Sequence, residues 1–318
     1  MNVDNSQMRS KGPGLLRQVY YFLRLGRPMF LLGGFLLHGL GVVMALYDGA
    51  ELDLQVLIWT QVAITAIQLM THYSNDYFDL AADEANETPT RWSGGSRILS
   101  EGLLNPQIAL VTSITMAVVA LIAVLWLTLI LEGSLLTMLL ILISGLLGWS
   151  YSSPPLQLNM HGLGELTGAV LITGLTPIVG YSAQAGALTL LPFLAVIPLG
   201  CFQFAMLMVI NVPDAASDMA SGKHTLIYFL GAERTVRLYA VVLALAYLCI
   251  PLLLWLGLPI LVALALLLIS PLAFWQGWRM LRGAWTKPDN WNSLGFWSVG
   301  LVMSSAGAEF FAFLYLLQ

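Results

Sequence analysis

The chain has 318 residues, 58% of them apolar and 9% charged, with a net charge of −4. Soluble domains carry about 25% charged residues, so this chain has too few charges to cover a water-facing surface and its solvent is lipid. Cys201 and Cys249 both fall inside apolar runs and read as core thiols, with neither a disulfide framework nor a metal site behind them.

Residues 1–23 form a polar N-terminal segment without the apolar core of a signal peptide, so the first apolar run is a retained helix. A membrane span needs about 20 apolar residues. Such spans are predicted near 28–47, 54–75, 107–130, 134–151, 163–183, 191–211, 238–256, 259–279 and 293–316. The run 166–213 holds two of them, with the turn at Gln184 to Pro192, and 238–278 holds two more, broken near Gly257-Leu258-Pro259. The expected fold is therefore all-α and polytopic, nine transmembrane helices around a central cavity, with 1–318 as one membrane-embedded domain.

The basic residues test that count. Arg9, Lys11, Arg17, Arg24 and Arg27 precede the first span; Arg91 and Arg97 follow the second; Lys223, Arg234 and Arg237 follow the sixth; Arg279, Arg282 and Lys287 follow the eighth. With nine spans all 13 fall on one side, while Asp48, Glu51, Asp53 and Glu132 fall on the other. The basic side is expected to be cytoplasmic, placing the N-terminus there and the C-terminus on the far side. Two polar loops on that side, 84–106 and 219–235, are long where the opposite loops are short, and long polar loops tend to carry function.

The second span ends in Asn75-Asp76-Tyr77-Phe78-Asp79, with Asp83 beyond; positions 76, 79 and 83 are spaced i, i+3, i+7 and share one helical face. The sixth ends in Asn211-Val212-Pro213-Asp214, with Asp218 one turn on, and Pro213 is expected to kink or restart the helix. Each set follows an apolar helix and an Asn, and precedes a polar loop with a base, Arg97 in one and Lys223 in the other, as in a weak internal duplication. Five carboxylates at one membrane edge repel unless a cation lies between them, and oxygen donors without His or Cys favour Mg²⁺ or Ca²⁺. Mg²⁺ commonly bridges carboxylates to substrate phosphates, and Arg97 and Lys223 would complete a diphosphate clamp. The alternative reading of one such Asp pair is a cap or a solvated helix end; five at two matching ends, with basic loops after each, fit that poorly. An allylic carbon that loses diphosphate gains cationic character, which aromatic faces can stabilise, and Tyr77, Phe78 and Tyr151 are candidates by position alone.

These motifs resemble the UbiA superfamily of intramembrane aromatic prenyltransferases. Asn75, Asp76, Asp79 and Asp83 match its N-D-x-x-D-x-x-x-D motif, and Asp214 and Asp218 its D-x-x-x-D motif. Leu25-Gly26-Arg27-Pro28, Tyr151-Ser152-Ser153-Pro154-Pro155 and Gly162-Leu163-Gly164-Glu165 are similar to further family segments. The resemblance implies Mg²⁺ held by the five aspartates, Asn75, Asn211, Arg97, Lys223 and Tyr151 binding substrate, and a polyprenyl diphosphate, an aromatic acceptor and the bilayer as partners, with no nucleic acid. Asn75 to Asp79, Ser93-Gly94-Gly95-Ser96-Arg97, Gly222-Lys223-His224-Thr225-Leu226 and Leu230-Gly231 look like the 1,4-dihydroxy-2-naphthoate enzymes of menaquinone synthesis. Arg97 is followed by Ile98, where the hydroxybenzoate, haem and chlorophyll branches carry Arg-Pro, although Asp83 keeps the general spacing instead of the longer gap of many naphthoate enzymes. Transfer to 4-hydroxybenzoate, homogentisate or a tetrapyrrole is the alternative, and a divalent-cation transporter the remote one. A lipid-head phosphotransferase is disfavoured, because its Asp-Gly-x-x-Ala-Arg signature is absent.

Single residues leave choices open. Asn75 and Asn211 read as metal or phosphate ligands or as helix-end hydrogen bonds. His72 reads as a satisfied helix-end histidine, Glu165 as cavity-facing or as a helix N-terminal acid, and Glu309 as an intramembrane acid near enough the far face to reach water. Arg91 and Lys287 read as topology signals or lipid-headgroup contacts.

Overall fold

The computed structural model describes residues 14–318, so Arg9 and Lys11 lie outside the described residues. It is all helical, and nine of its helical segments are long and apolar enough to cross a membrane: Pro28–Tyr47, Leu54–Phe78, Pro106–Leu129, Leu135–Ser152, Gly164–Ala185, Leu191–Ile210, Ala232–Leu256, Ile260–Leu281 and Pro288–Leu316. Every predicted span is present, with ends displaced by a few residues.

Helix α1 (Leu15–Leu25) precedes the first span. It corrects the reading of residues 1–23 as merely polar. Leu16, Val19, Tyr20 and Leu23 lie exposed on one of its sides, while Tyr21 and Leu25 pack inward, so α1 is amphipathic and shaped to lie in a bilayer interface. Spans α2 (Pro28–Tyr47) and α3 (Leu54–Phe78) follow. Asp79 breaks α3, and a single turn, α4 (Leu80–Glu84), continues it. Then come α5 (Pro106–Leu129) and α6 (Leu135–Ser152).

The fifth span is built in three pieces: α7 (Gly164–Gly168), a π-helical stretch over Ala169–Leu175, and α8 (Thr176–Ala185). Pro177 explains the widening. It lacks an N–H and its ring clashes with the carbonyl four residues back, and the Thr176 hydroxyl instead donates to the Leu171 carbonyl at 3.1 Å. Glycines let this span meet α2 backbone to backbone. A Cβ on Gly41 would lie 1.9 Å from the Pro177 carbonyl oxygen, and one on Gly180 would lie 2.3 Å from that of His38. Small residues that permit such approach are the usual basis of helix packing in lipid.

Helix α9 (Leu191–Ile210) lies at the centre of the larger apolar core, with Leu199, Phe202, Met208 and Val209 buried. After it, α10 (Ala215–Ala220) and α11 (Leu226–Leu230) form the second functional loop. Helices α12 (Ala232–Leu248) and α13 (Ile250–Leu256) make one span, broken where Pro251 follows, and α14 (Ile260–Leu281) and α15 (Pro288–Leu316) complete the bundle. Up-and-down alternation brings the start of α2, the ends of α3, α6 and α9, and the start of α7 to one end of the bundle.

Candidate active site

The two aspartate motifs meet. Lys223, from the loop after the second motif, places Nζ 3.0 Å from Asp79 Oδ2 of the first and 3.4 Å from Asp218 Oδ1 of its own. The exchange runs the other way too. From the loop after the first motif, Asn86 Nδ2 donates to Asp214 Oδ1 at 2.7 Å and the Gly94 N–H to Asp214 Oδ2 at 2.9 Å. Each loop therefore closes over the other motif's acids, as the duplicated pattern requires if both motifs serve one site.

Asp79 is the most heavily engaged acid. Besides Lys223 it accepts from Asn75 Nδ2 at 2.9 Å, and from Asn159 Nδ2 at 3.0 and 2.9 Å to its two oxygens. Asn75 and Asn159 also donate to Ser152 Oγ, tying the end of α6 into the cluster. Asp76 is paired with Arg27 and accepts the Ser96 N–H at 3.2 Å. Asp83 lies under Gly95, where a Cβ would sit 1.9 Å from its Oδ2. Gly94, Gly95 and Arg97 all have positive φ, and the first two positions accept this only as glycine without strain. The left-handed turn aims two alternate backbone N–H groups at carboxylates of the two motifs, Gly94 at Asp214 and Ser96 at Asp76.

Arg97 is expected as a diphosphate clamp. Its guanidinium hydrogen-bonds the Asp83 backbone carbonyl and lies 3.8 Å from Glu101, with its Nε buried and without a partner. Tyr151 stands at the end of α6, within electrostatic range of Lys223, Asp79, Glu165 and Asp218. Tyr77 and Phe78 do not join it. One and two residues past Asp76, they point around the helix to other surroundings: Tyr77 packs against the apolar cluster that includes Tyr73 and Leu99, and Phe78 meets the Trp149 ring edge-on at 6.2 Å. Asn211 turns its amide to Glu165 Oε1 at 2.9 Å, and the same oxygen accepts the Leu226 N–H at 3.2 Å. Glu165 thus joins α7, the end of α9 and α11, with Oε2 buried and unpartnered. His72 Nδ1 meets the Gly26 carbonyl at 3.0 Å, the satisfied histidine expected of it. Glu309 does not reach water: it is fully buried in α15, and neither carboxyl oxygen has a partner.

Four contributors escape the sequence reading. Arg27 carries a signal as a base directly ahead of an apolar span, but its pairing with Asp76 needs α2 and α3 side by side. Asn86 and Asn159 sit in connecting segments and Ser152 is the last residue of α6, places where polar residues are ordinary, and only the fold brings them to the acids.

Among the described residues no three His, Cys, Asp or Glu side chains are grouped closely enough to hold a metal ion as they stand. The reason is visible: Arg27, Lys223, Asn86 and Asn159 occupy the space between the carboxylates. The donor set nevertheless fits a hard divalent cation. Its donors are oxygens, and Asp76, Asp79, Asp83, Asp214, Asp218 and Glu165 outnumber Arg27, Arg97 and Lys223. Asp218 Oδ2 is buried without a partner. Burial, then the neighbouring Asp76 and Asp79 charges, push Asp83 up to about 8 against the pull of Arg27 and Lys223. Burial pushes Asp218 up to about 7 against the pull of Lys223, with the Asp214 and Asp79 charges adding to the rise. In both carboxyls burial is the leading cause of the rise, and the neighbouring bases do not offset it.

A bundle of nine spans with facing, buried acid motifs at one end defines an intramembrane enzyme of the helical, acid-rich type. The chain belongs to the UbiA prenyltransferase family, whose model matches residues 35–300, and it is a prenyltransferase. It is 23% identical over 224 residues to the 1,4-dihydroxy-2-naphthoate octaprenyltransferase of Bacillus subtilis (strain 168), covering 70% of each chain. Its fold is similar to that of a UbiA homolog from Archaeoglobus fulgidus bound to GPP and Mg²⁺, with a TM-score of 0.63 at 17% identity over 91% of this chain and 99% of that one. A digeranylgeranylglyceryl phosphate synthase aligns with a TM-score of 0.65 at 14% identity over 94% and 99%.

Proposed function

We propose that the chain moves a polyprenyl group from a polyprenyl diphosphate to an aromatic acceptor, 1,4-dihydroxy-2-naphthoate in menaquinone synthesis, with Mg²⁺ as cofactor. The observation that carries the reading is the reciprocal closure of the two motifs: Lys223 on Asp79, and Asn86 and Gly94 on Asp214. The acceptor follows from the naphthoate-like segments at 75–79, 93–97 and 222–231 and from the Bacillus relative's activity.

Asp76, Asp79, Asp83, Asp214 and Asp218 would hold the cation. When bound, it neutralises the diphosphate so that it can leave. Lys223 and Arg97 supply fixed positive charge for phosphate oxygens, and the Gly94 and Ser96 N–H groups add donors on the same side. Arg27 holds Asp76 in place, and Asn75 and Asn159 hold Asp79, so the acids need no reorganisation as charge develops. Tyr151 offers an aromatic face near the acids for the allylic cation. Burial of the cluster keeps out water, which would otherwise capture that cation. Every described Lys and Arg lies in or beside a segment at the acid end, which by charge asymmetry faces the cytoplasm.

The test uses the purified protein in lipid nanodiscs with a radiolabelled polyprenyl diphosphate, a panel of aromatic acids and glyceryl phosphate, and products read by mass. A prenylated 1,4-naphthalenediol, the prenyl group having replaced the carboxylate of 1,4-dihydroxy-2-naphthoate with release of carbon dioxide and diphosphate, is the expected result, formed with Mg²⁺ and abolished by EDTA. Turnover that persists in EDTA removes the metal, and turnover with another acceptor alone reassigns the substrate.

A further inference from the structure

The aspartates are the end of a longer polar stripe. On α3, Gln61, Thr65, Gln68 and His72 precede Asn75, Asp76 and Asp79 at i, i+4, i+7, i+11, i+14, i+15 and i+18, all on one face. A polar stripe along an apolar span is costly where it meets lipid. Its upper part is closed off by packing: His72 meets Gly26, and Gln68 packs against α2 at Gly34, where a Cβ would lie 2.1 Å from its Oε1, an oxygen buried without a partner among the described residues. Its lower part, Gln61 and Thr65, opens into a groove of about 610 Å³ between α2, α3 and α5, with Phe35, Val62 and Met116 among its walls. Phe35 and Ile58 are exposed there, so the groove opens sideways to the lipid.

The polar groups in the groove are incompletely used. Thr60, Thr71, Thr115, Thr128 and Thr173 each return their hydroxyl proton to the carbonyl four residues back. Thr65 accepts from Gln61 Nε2 at 3.0 Å, and no partner is present for its own proton among the described residues. Gln61 Oε1 accepts no hydrogen bond at ordinary distance among the described residues; the His38 ring stands beside it in the groove wall, with its Nε2 held on the Thr60 hydroxyl at 2.9 Å. Together Gln61 and Thr65 offer one donor and one acceptor, which a single hydroxyl group on a ligand satisfies.

Depth and charge select the ligand. Gln61 and Thr65 lie seven and eleven residues inside the start of α3, about 10 and 16 Å along the helix, at the level of acyl chains, where a phospholipid headgroup does not reach. No Lys, Arg, Asp or Glu lines the groove among the described residues, so it has nothing for a diphosphate or a carboxylate. The volume is that of a small-molecule site.

We propose that this groove binds an uncharged aromatic alcohol carrying a prenyl tail, the chemical class of product expected if, in the transfer proposed above, the prenyl group replaces the acceptor's carboxylate, which leaves as carbon dioxide while diphosphate leaves the donor, and holds it on its way between the acid site and the bilayer. The ring hydroxyl sits between Gln61 and Thr65, and the tail lies along the lipid-facing walls.

Equilibrium binding of tritiated 2-farnesyl-1-naphthol to the full chain in phosphatidylcholine nanodiscs tests this, with squalene and farnesyl diphosphate as competitors. The probe is expected to bind saturably and to weaken about tenfold in the double variant Gln61→Leu/Thr65→Val and in Val62→Trp, which fills the groove. EDTA-sensitive diphosphate release should stay within about twofold in both, which also shows that they fold. Binding at full strength in both variants overturns the proposal. So does squalene competing as well as unlabelled naphthol, which would make the groove a bed for any hydrocarbon. If naphthol binding is lost in the variants while wild type transfers no prenyl group to any aromatic acceptor, the groove stands and the reaction assigned to the acid site falls.

Discussion

Both ends of the bundle carry acids at helix termini, yet they are built differently. At one end Asp53 caps α3, its Oδ1 accepting the N–H groups of Gln55 and Val56 at 2.8 and 3.1 Å. Asp48 there accepts the Tyr181 hydroxyl at 2.5 Å and the Thr189 hydroxyl at 2.9 Å. These carboxylates are exposed, and their partners are uncharged. At the other end Asp76, Asp79 and Asp218 are buried, and besides uncharged donors such as Asn75 and Asn159 their partners include the bases Arg27 and Lys223. The contrast separates an acid used as a hydrogen-bond acceptor from one used as a charge. A buried carboxylate is expensive unless paired, so a cluster of them with too few bases marks a site that expects further positive charge.

The largest effect should come from removing that charge without changing size. Asp79→Asn and Asp214→Asn are each expected to lower the initial rate of prenyl transfer by about a thousandfold or more, while the protein still inserts and purifies. Rates near wild type in both would place the reaction elsewhere. Next in size, Lys223→Met removes the one side chain that bridges the two motifs, and should cost about a hundredfold in the same assay. A loss confined to KM would make it a binding residue alone. Asn159→Ala leaves Asp79 with its cation but frees its orientation, and about tenfold is expected, the scale of losing a group that orients a ligand.

How much of this was legible in the sequence follows the same divide. The spans were legible because uncharged runs of this length have no other stable solution in lipid. The faces shared by Asp76, Asp79 and Asp83, and by Asp214 and Asp218, follow from local helical spacing. The partners were not legible. Arg27, Asn86, Ser152 and Asn159 reach the acids from other elements, and nothing local to them says so. Tyr77 and Phe78 lie elsewhere because nearness in sequence to Asp76 is not nearness in space: a helix turns each successive side chain by about 100°. Glu309 was misread for a related reason: its depth along α15 was legible, but its inward direction is set by packing against α2 and α9. The π stretch over Ala169–Leu175 had a local signal in Pro177 that span counting passes over.

The smallest effect is the most discriminating, because one substitution can be made at both ends. Asp53→Ala should destabilise the protein by about 1 kcal/mol through loss of the N-cap, read as a lower thermal unfolding midpoint in detergent, with transfer rates unchanged for the protein that remains folded. Asp53→Asn should restore the midpoint, since an amide oxygen caps α3 nearly as well as a carboxylate. Asp79→Asn, by contrast, keeps the shape and an acceptor oxygen but loses the charge, so it should fail in transfer however well it folds. If Asp53→Asn abolished transfer, or Asp79→Asn behaved like a repaired cap, the acids at the two ends would be doing the same job, and burial beside Lys223 would no longer distinguish them.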